Sequence, residues 1–188
     1  MRKPLIFTMA AAMSVGLAAF VPVAANAGAG DTPSTFSLTA SGGLSIAVPD
    51  GSVTPVNLGT ASTGAGTLSH ALGNVTVTDG RGALTATWTA AASSTNFTTG
   101  GASADETVAK ASVGYWAGVG TAQLGQVGAF VPAGTIGTPV SLAGTGANVG
   151  QWAGTGNDTV TWTPTVTFTL LPSQVAGTYS GTITHSVS

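Results

Sequence analysis

The sequence predicts an all-β protein: a single β-sandwich or jelly-roll-like barrel of about eight to ten short antiparallel strands. Three observations carry this expectation. Thr, Val and aromatic residues alternate with period two over several segments, the pattern of half-buried strands. Gly-rich turns separate those segments, with 28 Gly in 188 residues. Downstream of the N-terminus no stretch shows the 3.6-residue apolar period of an amphipathic helix. Thr, at 31 residues, supplies outer strand faces without charge.

The N-terminus reads as a leader. Arg2 and Lys3 precede an uncharged apolar run from Leu5 to Ala25, and Ala25-Asn26-Ala27 fits the small-x-small cleavage rule. Residues 1–27 are therefore expected to be a secretory signal peptide, with Gly28 opening the mature chain. The run is about long enough to span a bilayer. Pro22, the cleavage motif and the lack of flanking positive residues favour cleavage, and no second run of that length follows. Residues 28–35 are expected to be a flexible N-terminus, and residues 36–188 one all-β domain.

Within that domain, Phe36–Ala40, Leu44–Val48, Val53–Leu58, Val75–Thr78, Val108–Tyr115 and Val140–Leu142 are short strand candidates. Asp79-Gly80 suits a tight hairpin turn between Val75–Thr78 and Leu84–Ala90, with Gly82 adding a bulge. In the second segment Leu84, Ala86, Trp88 and Ala90 alternate with Thr85, Thr87 and Thr89. From Thr159 to Thr169 every second residue is Thr, alternating with Val160, Trp162, Val166 and Phe168, and Pro164 predicts a break between two strands. Gly118–Gly156, dense in Gly and Ala, reads as irregular loops joined by short strands. Thr178–His185 alternates again and predicts a closing strand.

Composition excludes several functions. Charged residues make up 5%, against about 25% in ordinary domains. The mature chain keeps Arg81 and Lys110 against six acids, a net charge of −4, so no basic field attracts nucleic acid. With no Cys there is no disulfide, thiolate metal site or thiol nucleophile. No Gly-x-Ser-x-Gly elbow, phosphate loop or calcium-loop spacing occurs. The one adjacent acid pair, Asp105-Glu106, falls in an expected loop. His70 falls in a loop, and His185 on the core-facing phase of the last strand. No catalytic residue, metal or cofactor is assigned.

Trp88 and Trp162 lie in phase with core residues. Trp116, beside Tyr115, and Trp152 adjoin Gly-rich turns, where aromatic faces can stack on sugar rings. Tyr115, Trp116 and Trp152 are therefore the ligand-binding candidates. Asp79 and Arg81, flanking the expected turn, are read as a structural pair.

Two segments, Val75–Phe97 with Asp79, Arg81 and Trp88, and Phe168–Val187 with Gly177-Thr-Tyr179 and His185, resemble the WxL domain of Gram-positive cell-surface proteins. Trp88-Thr-Ala90 and His185-Ser-Val187 stand where that family carries Trp-x-Leu. The resemblance implies an all-β domain that associates non-covalently with the cell wall, with peptidoglycan or another surface glycan as ligand. It also marks Asp79, Arg81, Trp88, Tyr179 and His185 as motif positions. The resulting expectation is a secreted, non-enzymatic, wall-associated surface protein that has no membrane span after cleavage. Other surface proteins are further partners. A pilin-like, self-assembling subunit and a small carbohydrate-binding module are the alternatives.

Overall fold

Two long strands organise the molecule. The computed structural model describes residues 35–49, 55–123 and 126–188, so the leader, its cleavage motif, residues 28–34 and the start of the Val53–Leu58 candidate lie outside the described residues. Twelve strands are present among them: β1 (Leu44–Ala47), β2 (Thr67–Ala71), β3 (Val75–Ser94), β4 (Phe97–Thr98), β5 (Thr107–Val108), β6 (Val113–Trp116), β7 (Thr121–Ala122), β8 (Val127–Pro132), β9 (Val140–Ser141), β10 (Ala147–Trp162), β11 (Thr165–Thr169) and β12 (Ile183–Val187). The number exceeds the expected ten because β4, β5, β7 and β9 are two-residue pairings. Every pairing is antiparallel. Among the described residues, helical structure is confined to two 3-10 turns, Ala104–Glu106 and Lys110–Ser112, the second of which splits the Val108–Tyr115 candidate.

β3 and β10 pair along almost their whole lengths, from Trp162 opposite Val75 to Ala147 opposite Ala92. β1 and β12 share the outer edge of β3, one beside each half, while β8 and β7 line the far edge of β10. A second sheet runs β2-β11-β6-β9. The chain passes from the first sheet to the second at Pro164, between β10 and β11, where Leu72 N–H donates to the Pro164 carbonyl. Inner-face residues of both sheets form one core: Val75, Val77, Trp88, Val160 and Trp162 from the first, Val113, Tyr115, Val166 and Phe168 from the second. Leu38–Ser188 is one compact unit.

The expected hairpin at Asp79-Gly80 is absent. β3 continues through it, because β10 is long enough to pair both flanking segments. Asp79 opposes Asp158 and Ala83 opposes Gly156, so Gly80, Arg81 and Gly82 together face Asn157. The predicted bulge therefore exists, deeper than a single residue, and Gly82 takes it at φ +61.

The loops expected over Gly118–Gly156 contain β8 and most of β10. Glycine here makes room for aromatic rings rather than for turns. A Cβ at Gly150 would stand 2.6 Å from the Phe130 ring, and one at Gly154 2.7 Å from Trp152 Nε1. Phe36–Ala40 is not a strand: no neighbour pairs with it, and Phe36 and Leu38 are 86% and 89% exposed. The closing strand starts at Ile183 rather than Thr178. Ahead of it only Ser180 bridges, to Thr98, and Gly181 lies against the Phe97 ring.

Candidate functional site

The core of the first sheet is aromatic. Register places Trp152 opposite Trp88, with ring centroids 6.5 Å apart and planes 13° apart. Trp88 also stacks on Trp162 at 6.3 Å and meets Phe130 at 5.9 Å. Trp88 Nε1 donates to Asp158 Oδ1 at 2.9 Å, and Trp162 Nε1 donates to the Tyr115 hydroxyl at 3.1 Å.

This arrangement corrects the ligand-binding assignment. Trp152 is 3% exposed and Tyr115 fully buried, so neither can stack on a ligand. Trp152 looked like a rim residue because glycines surround it, yet those glycines accommodate the rings around it. Trp116, at the end of β6 beside Thr165, is half-buried. The three candidates do not form an aromatic platform.

The motif residues fall into three clusters. At the bulge, Arg81 grips Asp79: Nε donates to Oδ1 at 2.8 Å, Nη2 to Oδ2 at 2.6 Å, and the Arg81 backbone N–H to Oδ1 at 2.9 Å. Arg81 Nη2 also caps the Thr87 carbonyl at 2.8 Å. Asp79 and Asp158 are both buried, and Asp158 Oδ2 has no partner. The Arg81 hydrogen bonds hold Asp79 below the usual carboxylate range against the opposing cost of burial. Burial pushes Asp158 up; the Trp88 hydrogen bond opposes this, and the Asp79 charge adds to it. Asp158 escaped the sequence reading. Nothing near it in sequence marks it, and only the β3–β10 register brings it to Trp88 and Asp79.

In the second cluster, His185 Nε2 lies 3.1 Å from the Tyr115 hydroxyl, and Nδ1 is buried without a partner. The hydroxyl already accepts from Trp162, so its own proton is free to donate to Nε2. Burial pulls the imidazole down to about 4 and pushes the phenol above its ordinary range. A histidine held below its unfolded pKa of about 6.5 contributes stability that is complete above that value and is lost as pH falls towards the folded one. Stability should therefore decline between about pH 6.5 and 4, and His185→Gln should flatten that slope. Thermal melts across the window check this; an unchanged slope in the variant would refute it.

In the third cluster, Tyr179 is half-buried against the core, and its hydroxyl donates to the carbonyls of Val175 at 2.8 Å and Asp105 at 3.2 Å. It ties the segment before β12 to the Asp105 turn.

Glu106 and His70 each have a local backbone partner. Glu106 accepts the Ser103 N–H at 3.0 Å in a capping box, the bond that does most to lower its pKa. His70 is exposed, with Nδ1 near the Ala71 carbonyl. No group of three or more His, Asp and Glu side chains gathers to hold a metal among the described residues. None of their helices is long and apolar enough to cross a membrane.

A groove of 460 Å³ lies over the first sheet, lined by Thr87, Thr89, Val131, Gln151, Ala153 and Ser188, with Trp88 and Trp152 completing the lining. Thr87 and Thr89 alternate with buried Ala86, Trp88 and Ala90, and Gln151 and Ala153 flank buried Trp152. The groove therefore opens on the outer face. It offers hydroxyls and an amide and carries no charged side chain. The outward Thr phase was visible in the sequence; the pairing that gathers it beside Gln151 was not.

Comparison with known protein families, with curated proteins and with solved structures yields no match for this chain.

Proposed function

We propose that this chain is a secreted, non-catalytic surface protein that binds a neutral cell-wall glycan through the outer face of its first sheet. The hydroxyl- and amide-bearing lining of the groove carries the reading. Glycan hydroxyls need paired donors and acceptors, and Thr87, Thr89, Gln151 and Ser188 provide both. The leader pattern and the WxL resemblance agree with a wall location. The local roles of three acids support the non-catalytic reading: Asp79 and Asp158 sit at the bulge and Glu106 in a cap.

The test is co-sedimentation of the mature protein with bare peptidoglycan. Each lost hydrogen bond is worth about 0.5–1.5 kcal/mol, so Gln151→Ala and Thr89→Val should each weaken binding about 2–10-fold. Both residues are on the outer face, and melting should stay within about 0.5 kcal/mol of the parent. Failure of the parent to sediment with the wall, or indifference of binding to both substitutions, would remove the proposal.

A further inference from the structure

The outer edge of β3 is interrupted. β1 pairs with it up to Asp79, where Gly80 N–H donates to the Gly43 carbonyl. β12 pairs from Ala90 onward, and Thr89 exchanges two backbone hydrogen bonds with Ser188. Between these points no strand among the described residues pairs with Arg81–Trp88 on this side. Thr87 precedes Thr89 by two residues, so its backbone groups turn to the same edge. Among the described residues its carbonyl is met on this edge by the Arg81 side chain alone. Leu84, in the same gap, is 88% exposed. Natural sheets cover or charge such edges, and the one charge here is folded back onto Asp79.

The same chain carries an unused strand. Phe36-Ser-Leu38-Thr-Ala40 has period-two alternation, yet it pairs with nothing and exposes Phe36 and Leu38. In this fold it does not fill its own β3 gap. Ser41 and Gly42 N–H groups both donate to the Gly80 carbonyl, and Asn157 of β10 donates to Ser41 Oγ at 3.0 Å. A Cβ on Gly82 would meet Ala40 Cα at 3.9 Å. Ala40–Ser41 thus sits against the bulge at the start of the gap, and the residues before it make no strand pairing.

We propose that copies of this chain join head to tail by strand addition, the Phe36–Ala40 arm of one copy entering the open Arg81–Trp88 edge of the next. Strand addition gives affinity through backbone hydrogen bonds and specificity through alternate side chains. An incoming N–H replaces the single Arg81 bond on the Thr87 carbonyl, and Arg81 keeps Asp79. Donor and acceptor are different surfaces, so the contact repeats and builds a filament or a ring. This inference is independent of wall binding, and its test contains no wall polymer.

Sedimentation velocity of the secreted chain over a concentration series should show assemblies that grow with concentration. The double substitution Phe36→Ser with Leu38→Ser removes the arm's apolar face without touching the core. It should weaken self-association roughly tenfold or more. That variant still accepts an arm, so in excess it should cap and shorten parent assemblies. A parent that stays monomeric at every concentration, or a variant that assembles as the parent does, would overturn the proposal.

Discussion

Trp88→Ala should unfold the protein or bring it to the edge of unfolding. Trp88 is 2% exposed and touches three other rings, Trp152, Trp162 and Phe130. Truncating a buried aromatic costs about 3–5 kcal/mol through lost transfer energy and the cavity left behind. The total stability of a domain is about 5–15 kcal/mol. The substitution also removes the one hydrogen-bond donor to the Asp158 side chain among the described residues, so the cost belongs at the upper end. Trp152→Ala should fall in the same class, against the rim position that its glycine neighbours suggested. Trp116→Ala, at a half-buried strand end, should cost less than either. Chemical denaturation of the three variants followed by circular dichroism ranks them. Parent-like stability in Trp88→Ala would mean that the aromatic cluster does not hold the two sheets together.

The difference between Trp88 and Trp152 shows what sequence can report. Trp88 alternates with Thr87 and Thr89, so period two reveals its face. Trp152 sits between Gln151 and Ala153 with Gly150 and Gly154 beyond. Glycine has no face to report, and its usual meaning as a turn residue points the wrong way. Here it marks backbone pressed against Phe130 and the Trp152 indole. Asp79-Gly80 is ambiguous for a related reason. The dipeptide suits a hairpin and a bulge equally, and the choice depends on whether a distant strand is long enough to pair both flanks. β10 is. Phe36–Ala40 shows the converse: alternation makes a segment fit for a sheet, but only pairing with a neighbour makes it a strand. The all-β class was legible because it rests on alternation repeated over many segments. The Asp79–Arg81–Asp158–Trp88 cluster was half legible, since Arg81 and Asp79 are two residues apart while Asp158 arrives through register alone.

That cluster sets the second large effect, the loss of Arg81. Arg81→Ala should lower the melting temperature at pH 7 more than removal of any other charged side chain in the mature domain. Three hydrogen bonds join Arg81 to Asp79, and only the backbone one survives the substitution. Two buried carboxyls then face each other in register without a cation; because Arg81 is itself 40% exposed, the cost lies between that of an exposed ion pair and that of a fully buried one. Arg81→Lys should rescue little, because a point charge cannot reproduce the two-pronged contact. The pH dependence separates the two carboxyls. Asp79 is depressed in the folded state, so its stabilisation is present above the unfolded carboxylate value and is lost as pH falls through the folded one. Asp158 is raised, so its stabilisation is present below the unfolded value and is lost as pH rises through the folded one. In the parent these slopes oppose each other. Without Arg81 the Asp79 depression disappears, and both carboxyls favour the protonated state. Arg81→Ala should therefore gain stability, relative to the parent, as pH falls from 7 towards about 4. Adding Asp158→Asn to Arg81→Ala removes one of the two facing charges while leaving an oxygen to accept from Trp88. It should restore part of the loss at pH 7, a coupling that a double-mutant cycle measures directly. Parent-like melting of Arg81→Ala at pH 7, or no coupling to Asp158→Asn, would show that the bulge is held by its backbone alone.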